Sequence, residues 1–205
     1  MRRSVFIKIA TASIVSVSTA AISNVVLSQS ESSPPTRSSK AVPFKINVPQ
    51  ARLNRILERV RNCEWPDEPA KGGWEYGPNL SYMKELAAYW VKGYDWRKVE
   101  SAMNRFAQYK AQIDGEALHF FQEKGSGRNP QPLLLLHGWP YSFYSLLNMA
   151  EPLAHPERFG GNATNGFDVI VPSLPGFGFS EKPANPLGPR AIAKRMHQLM
   201  TDVLG

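Results

Sequence analysis

The stretch Leu133-Leu-Leu-Leu-His-Gly-Trp-Pro140 limits most sharply what this chain can build. A short run of leucines fits a buried strand, and His-Gly-Trp-Pro forces the backbone to turn where the strand ends. Downstream, Phe167-Asp-Val-Ile-Val-Pro172 is a second apolar strand, and it breaks into Ser-Leu-Pro-Gly-Phe-Gly-Phe-Ser180. Two strands that each run into a Pro/Gly turn predict an α/β fold, with strand–helix–strand units around an open sheet. The turns then deliver backbone to a site.

The 205 residues hold one full domain, or one and a part, and a hydrophobic content of 42% is enough for a core. The formal charge of +7 falls to +4 once Arg2, Arg3 and Lys8 in the leader are set aside. The remaining basic residues are scattered among acids, as in Glu58-Arg59, Lys84-Glu85 and Arg97-Lys98-Val-Glu100. A solvated charged face is expected, and nucleic acid is not expected as a partner. Cys63 is the single cysteine, so no intramolecular disulfide can form. Next to a helical pattern it reads as an unreactive, partly buried thiol. With no cysteine pairs and no HExxH, neither a metal nor a cofactor is expected.

Residues 1–28 read as an export signal, not as part of the fold. Met1-Arg-Arg-Ser-Val-Phe-Ile-Lys8 opens on arginines, an uncharged stretch runs from Ile9 to Ser30, and Thr19, Ala20, Ala21 and Ser23 are small. Arg2-Arg3-Ser4-Val5-Phe6 is similar to the twin-arginine motif, which predicts delivery to the periplasm or outside a bacterial cell. The alternative is a membrane anchor, and membrane contact is expected only if this segment stays uncleaved. Thr11, Ser13, Ser16, Ser18 and Asn24 dilute the apolar stretch and weaken that alternative. Residues 29–42, polar and carrying Pro34-Pro35, read as a linker.

Residues 43–106 read as a helical N-terminal segment. Leu53, Ile56, Leu57 and Val60 recur at helical spacing, and the helix should end before Trp65-Pro66. Residues 65–78 carry aromatics but are broken by Pro and Gly, so irregular chain pinned by its rings is expected. Asn79 should cap a second helix with Leu80, Met83, Leu86, Ala87 and Trp90 inward, stopping at Gly93; Asp95 should cap a third holding Trp96, Val99, Met103 and Phe106. Trp74 and Trp90 are expected in the core, the other reading being that they line an apolar pocket.

Residues 107–205 read as the α/β part. Tyr109, Ala111 and Ile113 alternate, Asp114-Gly115 is a two-residue turn, and Leu118 and Phe120 alternate again, which predicts a hairpin. His119 falls on the other strand face, where a packed or hydrogen-bonded structural histidine is expected. Residues 189–205 form an amphipathic helix with Ile192, Met196, Leu199, Met200 and Val203 inward.

Six segments in order carry a resemblance: Phe44-Lys-Ile-Asn-Val-Pro49, Trp74-Glu-Tyr-Gly77, Tyr89-Trp90, Tyr94-Asp-Trp-Arg97 with the hairpin, His137-Gly-Trp-Pro140, and Pro172-Ser-Leu-Pro-Gly-Phe-Gly-Phe-Ser180. From about Phe44 to Gly205 the chain resembles the microsomal and juvenile-hormone-type epoxide hydrolases. The resemblance implies an N-terminal helical segment followed by the first half of an α/β-hydrolase sheet. It also implies detoxifying hydration of small apolar epoxides to vicinal diols. An Asp at a nucleophile elbow opens the epoxide and forms an ester, and a His paired with an acid activates water to cleave it. Lid tyrosines hold the epoxide oxygen.

Residue by residue, the resemblance gives the Trp139 backbone N–H one half of the oxyanion hole. Gly138 allows close backbone approach, Pro140 fixes the turn through a peptide bond that relatives commonly hold cis, and His137 braces the loop instead of serving as base. Phe177 and Phe179 either border the cleft or pack; the residues favour neither reading. Gly176-Phe-Gly178 is not a phosphate loop, because the pattern fails at Glu181. No GxSxG and no GxDxG occurs, and His155 and His197 have no acid at a catalytic sequence spacing. Nucleophile, base and acid are therefore expected to be absent. The α/β core is expected to be truncated, with the leucine strand left as an uncovered edge and the fragment inactive and poorly soluble. A dehalogenase-like α/β-hydrolase and a degenerate, non-catalytic binding module are the alternatives.

Overall fold

A computed structural model describes residues 40–69 and 72–205. The export signal and residues 29–39 of the linker lie outside the described residues. The fold begins inside the expected linker, because Val42–Pro43 (β1) already pairs with Lys110 and Tyr109.

Three helices follow: α1 (Gln50–Arg61), α2 (Leu80–Lys92) and α3 (Trp96–Met103). Their starts are set by local chemistry. The Asn79 side chain accepts from Tyr82 N–H at 3.1 Å, and Asp95 accepts from Arg97 N–H at 2.9 Å and Lys98 N–H at 3.3 Å. These bonds satisfy amides that a helix N-terminus leaves without partners. After α2, a Cβ at Gly93 would meet the Tyr89 ring at 2.8 Å, so glycine lets the chain leave the helix under that ring.

α1 and α2 pack on each other, yet neither contains a fully buried residue. Leu53, Leu57 and Val60, with Leu80, Met83, Ala87 and Val91, are half-buried at helical spacing. The core expectation for the two tryptophans fails: Trp74 is 64% exposed and Trp90 is 45% exposed. The reason is that α2 carries apolar residues on two faces. Tyr82, Leu86, Tyr89 and Trp90 form an outer stripe, with the Trp74 ring 5.2 Å from that of Tyr82. Neither tryptophan lines the cleft of about 420 Å³ between Cys63 and Met83. Cys63 is exposed, not partly buried, because it follows the last turn of α1 and lies beyond the seam.

The segment before α1 is clasped to α3. Asn104 Oδ1 accepts from Ile46 N–H at 2.9 Å while its Nδ2 donates to Ile46 O at 2.8 Å, and Glu100 accepts from Val48 N–H at 2.7 Å. Burial works against the Glu100 charge, but the bonds from Val48, Arg97 and Trp96 outweigh it and hold this carboxyl below the usual range.

The hairpin forms as the alternation predicts: β2 (Ala107–Ile113) and β3 (Glu116–Glu123) pair with Tyr109 opposite Phe120 and Ala111 opposite Leu118. Asp114 (φ 51°) and Gly115 (φ 81°) both take positive φ, as the favoured two-residue hairpin turn requires. After β4 (Gln131–Leu134) and α4 (Leu147–Ala154), β5 (Phe167–Pro172) enters between β3 and β4. The sheet order is β1-β2-β3-β5-β4, with β5 antiparallel to β3 and parallel to β4. α5 (Pro189–Gln198) then covers one face and ends in a wider π-type turn over Leu199–Val203.

Both sheet faces are buried. Ala111, Ile113, Leu118, Phe120 and Ile170 pack against Met196 and Leu199; Ile46, Met103, Phe121, Val169 and Val171 pack against Phe143, Leu147, Ala150 and Ala154. The leucine run is less buried than its composition implies. β4 is an edge strand that ends at Leu134, its ladder is extended by Leu135 N–H to Ile170 O at 2.9 Å, and Leu136 is 50% exposed. Among the described residues no helix is long and apolar enough to cross a membrane.

Candidate functional site

The ends of β4 and β5 are parallel neighbours, so the loops that leave them meet on one side of the sheet. His137-Gly-Trp-Pro140 comes from the first, and residues 173–180 come from the second. The Trp139–Pro140 peptide is cis, and Tyr141 N–H closes the turn on Gly138 O at 2.7 Å. The Trp139 side chain stands 84% exposed, and its backbone N–H donates to no group among the described residues. An unspent amide at the end of a sheet strand, on a loop held from below, is a donor available to an oxyanion. A Cβ at Gly138 would meet nothing within 4 Å among the described residues.

His137 is buried, and its Nε2 accepts from Leu174 N–H at 3.1 Å. The lone pair is therefore on Nε2, which leaves the proton on Nδ1. Burial pushes its pKa below the ordinary imidazole value, while backbone groups of Gly138 and Tyr141 offset part of that effect. A neutral ring whose lone pair already binds an amide is not set up to take a proton from water. It ties the Trp139 loop to the loop after β5, and the Phe177 ring lies edge-on to it at 5.3 Å. Phe179 packs instead with Phe44 and Phe143, at 5.8 Å from each.

Beneath the second loop lies a buried polar group whose connections the sequence did not reveal. His119 is fully buried, with Nδ1 2.8 Å from Ser173 Oγ and Nε2 2.9 Å from Gln108 Oε1. Burial, aided by the charge on Lys110, pushes its pKa down to about 3. Alternation showed that His119 faces away from Leu118 and Phe120, but its partners lie on another strand and a distant loop.

His155 does have acidic partners in space: Nε2 is 2.8 Å from Glu123 and Nδ1 is 3.7 Å from Glu157. The sequence hid the Glu123 contact because it joins positions 32 residues apart that only the packing of α4 against β3 brings together. Glu123 pairs with Val169 near the start of β5, so this pair sits at the opposite end of the sheet from Trp139. It braces the loop after α4 and takes no part in the site. Among the described residues no group of three or more His, Cys, Asp or Glu could hold a metal.

The comparisons with known proteins agree with this geometry. Residues 41–146 match the family described as epoxide hydrolase N terminus, and residues 131–203 match the alpha/beta hydrolase fold. This chain belongs to the epoxide hydrolase family. An epoxide hydrolase homologue of Stigmatella aurantiaca is 42% identical over 159 residues, covering 77% of this chain and 36% of that protein. Epoxide hydrolase 1 of the pig, Sus scrofa, is 34% identical over 143 residues, covering 68% of this chain and 32% of that protein. The crystal structure of the juvenile hormone epoxide hydrolase of the silkworm Bombyx mori superposes with a TM-score of 0.71 at 28% identity, over 82% of this chain and 40% of that one. The chain thus spans about a third of the length of these curated epoxide hydrolase relatives.

Proposed function

We propose that this chain supplies the N-terminal part of an enzyme that hydrates small apolar epoxides to vicinal diols through an aspartyl-ester intermediate. The observation that carries the reading is the unspent Trp139 amide on a loop held by a neutral His137. In the first step a carboxylate oxygen attacks an epoxide carbon, the C–O bond breaks, and the freed oxygen takes a proton. In the second, water adds to the ester carbonyl and negative charge grows on its oxygen. Trp139 N–H is one of the two donors for that charge; the other follows the nucleophile in the remainder of the fold.

The test is a chimera in which the matched segment of the Stigmatella homologue is replaced by that of this chain, assayed for diol formation from styrene oxide. We expect turnover by the chimera, and none by the 205 residues alone, which contain no GxDxG elbow. Trp139→Pro in the chimera deletes the N–H and should lower kcat by about 100-fold or more. Trp139→Ala keeps the N–H and should stay within about 10-fold of the unmodified chimera, on the same donor argument. A folded chimera that makes no diol while its parent does would overturn the reading.

We also propose export by the twin-arginine route, on the strength of Arg2-Arg3-Ser4-Val5-Phe6. Replacing both Arg2 and Arg3 with lysine should abolish periplasmic delivery of the chain in a bacterial host. Delivery that continues unchanged would argue against that route.

A further inference from the structure

We propose that His119 is a positioning residue for the Trp139 amide, acting through a hydrogen-bond relay that runs from Gln108 to His137. The inference rests on reading Trp139 as an oxyanion donor, but the relay is defined by geometry alone.

The relay begins with an amide whose orientation is settled. Gln108 Nε2 donates to Met103 O at 2.6 Å, so Oε1 is the atom that faces His119. His119 Nε2 must then carry the ring proton and donate to Oε1, which leaves the Nδ1 lone pair to accept from Ser173 Oγ–H at 2.8 Å. Every proton points the same way, from Ser173 through His119 and Gln108 to Met103. His119 and Ser173 are fully buried and Gln108 nearly so, so water is poorly placed to replace a lost partner.

The backbone of His119 grips the same loop at both ends. Ser173 N–H donates to His119 O at 2.8 Å, His119 N–H donates to Ser180 Oγ at 2.9 Å, and Ser180 Oγ–H donates to Ser173 O at 2.6 Å. The loop between these two serines is thereby pinned to β3. Its next residue, Leu174, donates the N–H that His137 accepts, and Trp139 follows two residues later. The loop also closes directly over the relay. Gly178 takes φ 52°, and a Cβ there would collide with Ser173 Oγ.

Packing alone does not explain a histidine here. Phe44, Phe143 and Phe179 surround the ring edge-on at 5.5, 5.0 and 5.3 Å, a cage that a phenylalanine would fill. What histidine adds is an acceptor and a donor at two separate ring positions, and Ser173 and Gln108 use them both.

The experiment is NMR on the 15N-labelled chain, following the backbone amides of Leu174 and Trp139 and the ring nitrogens of His137. His119→Phe keeps the cage and removes both bonds; Ser173→Ala removes one bond and leaves the ring in place; His119→Gln returns a donor and an acceptor. We expect His119→Phe and Ser173→Ala to displace the Trp139 amide resonance and to speed exchange of the Leu174 amide by about 10-fold, the weight of one ordinary hydrogen bond. His119→Gln should restore both signals, and Leu86→Ala on the outer face of α2 should move neither. Should His119→Phe fail to fold, Ser173→Ala decides alone. If the variants lose stability while Trp139 and the Leu174 exchange stay unchanged, His119 is merely structural and the relay is wrong. None of these signals depends on turnover. A relay that holds while the Trp139→Pro chimera stays active would overturn the oxyanion reading only.

Discussion

Replacing Phe121 with alanine is expected to cost about 3–5 kcal/mol, the range for emptying a fully buried aromatic site. Phe121 has no exposed surface and sits in the middle of β3, opposite Gln108 on one side and Val171 on the other. Its ring meets Phe106 at 5.0 Å and Phe143 at 6.2 Å, so it joins the N-terminal segment to the start of the loop-and-helix layer. Three elements would face the cavity, and the sheet behind it cannot collapse without breaking register. Domains of this kind are stable by only about 5–15 kcal/mol, so the loss would remove much of the margin. Urea unfolding followed by far-UV circular dichroism checks it. Leu86→Ala is the control, because Leu86 is partly solvated and its removal should cost less than about 1 kcal/mol. A Phe121→Ala chain that unfolds at nearly the original urea midpoint would show that β3 is not the centre of the core.

Acid should weaken the fold by a comparable amount through His119. The unfolded chain takes up a proton on this histidine near pH 6.5, whereas the folded chain resists it down to about 3. Between those values the unfolded state binds more protons, so stability falls as pH is lowered. The contribution is fully present above about pH 6.5 and is lost at up to about 1.4 kcal/mol per pH unit, a few kcal/mol across the window. Protonation would place a donor on Nδ1 facing the Ser173 hydroxyl, which must then turn from donor to acceptor while a charge is buried. His119→Gln should be less stable than the parent at pH 7 and should lose less stability between pH 6.5 and 5. That window lies above the range where Glu100, whose pKa is lowered, takes up its proton. Parallel slopes for parent and variant over that window would mean that His119 is not buried as a neutral ring.

What could be read from the sequence follows from how far apart the partners are. The hairpin and the caps at Asn79 and Asp95 were legible because turn, cap and first amides lie within a few residues of one another. The Trp139 loop was legible because His-Gly-Trp-Pro belongs to a recognisable family pattern. The His119–Ser173 bond was not, since it joins positions 54 residues apart that only the insertion of β5 beside β3 brings together. The Glu123–His155 pair was hidden for a related reason, since only the packing of α4 against β3 brings its two residues together. The exposure of Trp90 was illegible for a different reason. A helix with apolar residues on two faces gives periodicity no means of choosing which face is buried.

That α1 and α2 bury no residue fully has a consequence for how this chain comes apart. Neither buried cluster on the sheet includes a residue of α1 or α2, and α1 is tied to α3 through Arg97, which donates to Gln50 Oε1 at 3.0 Å. Little apolar surface is exposed when such a pair melts, so its melting need not await that of the sheet. We expect two tiers of cooperativity, so that one midpoint describes only the sheet built around β3 and β5.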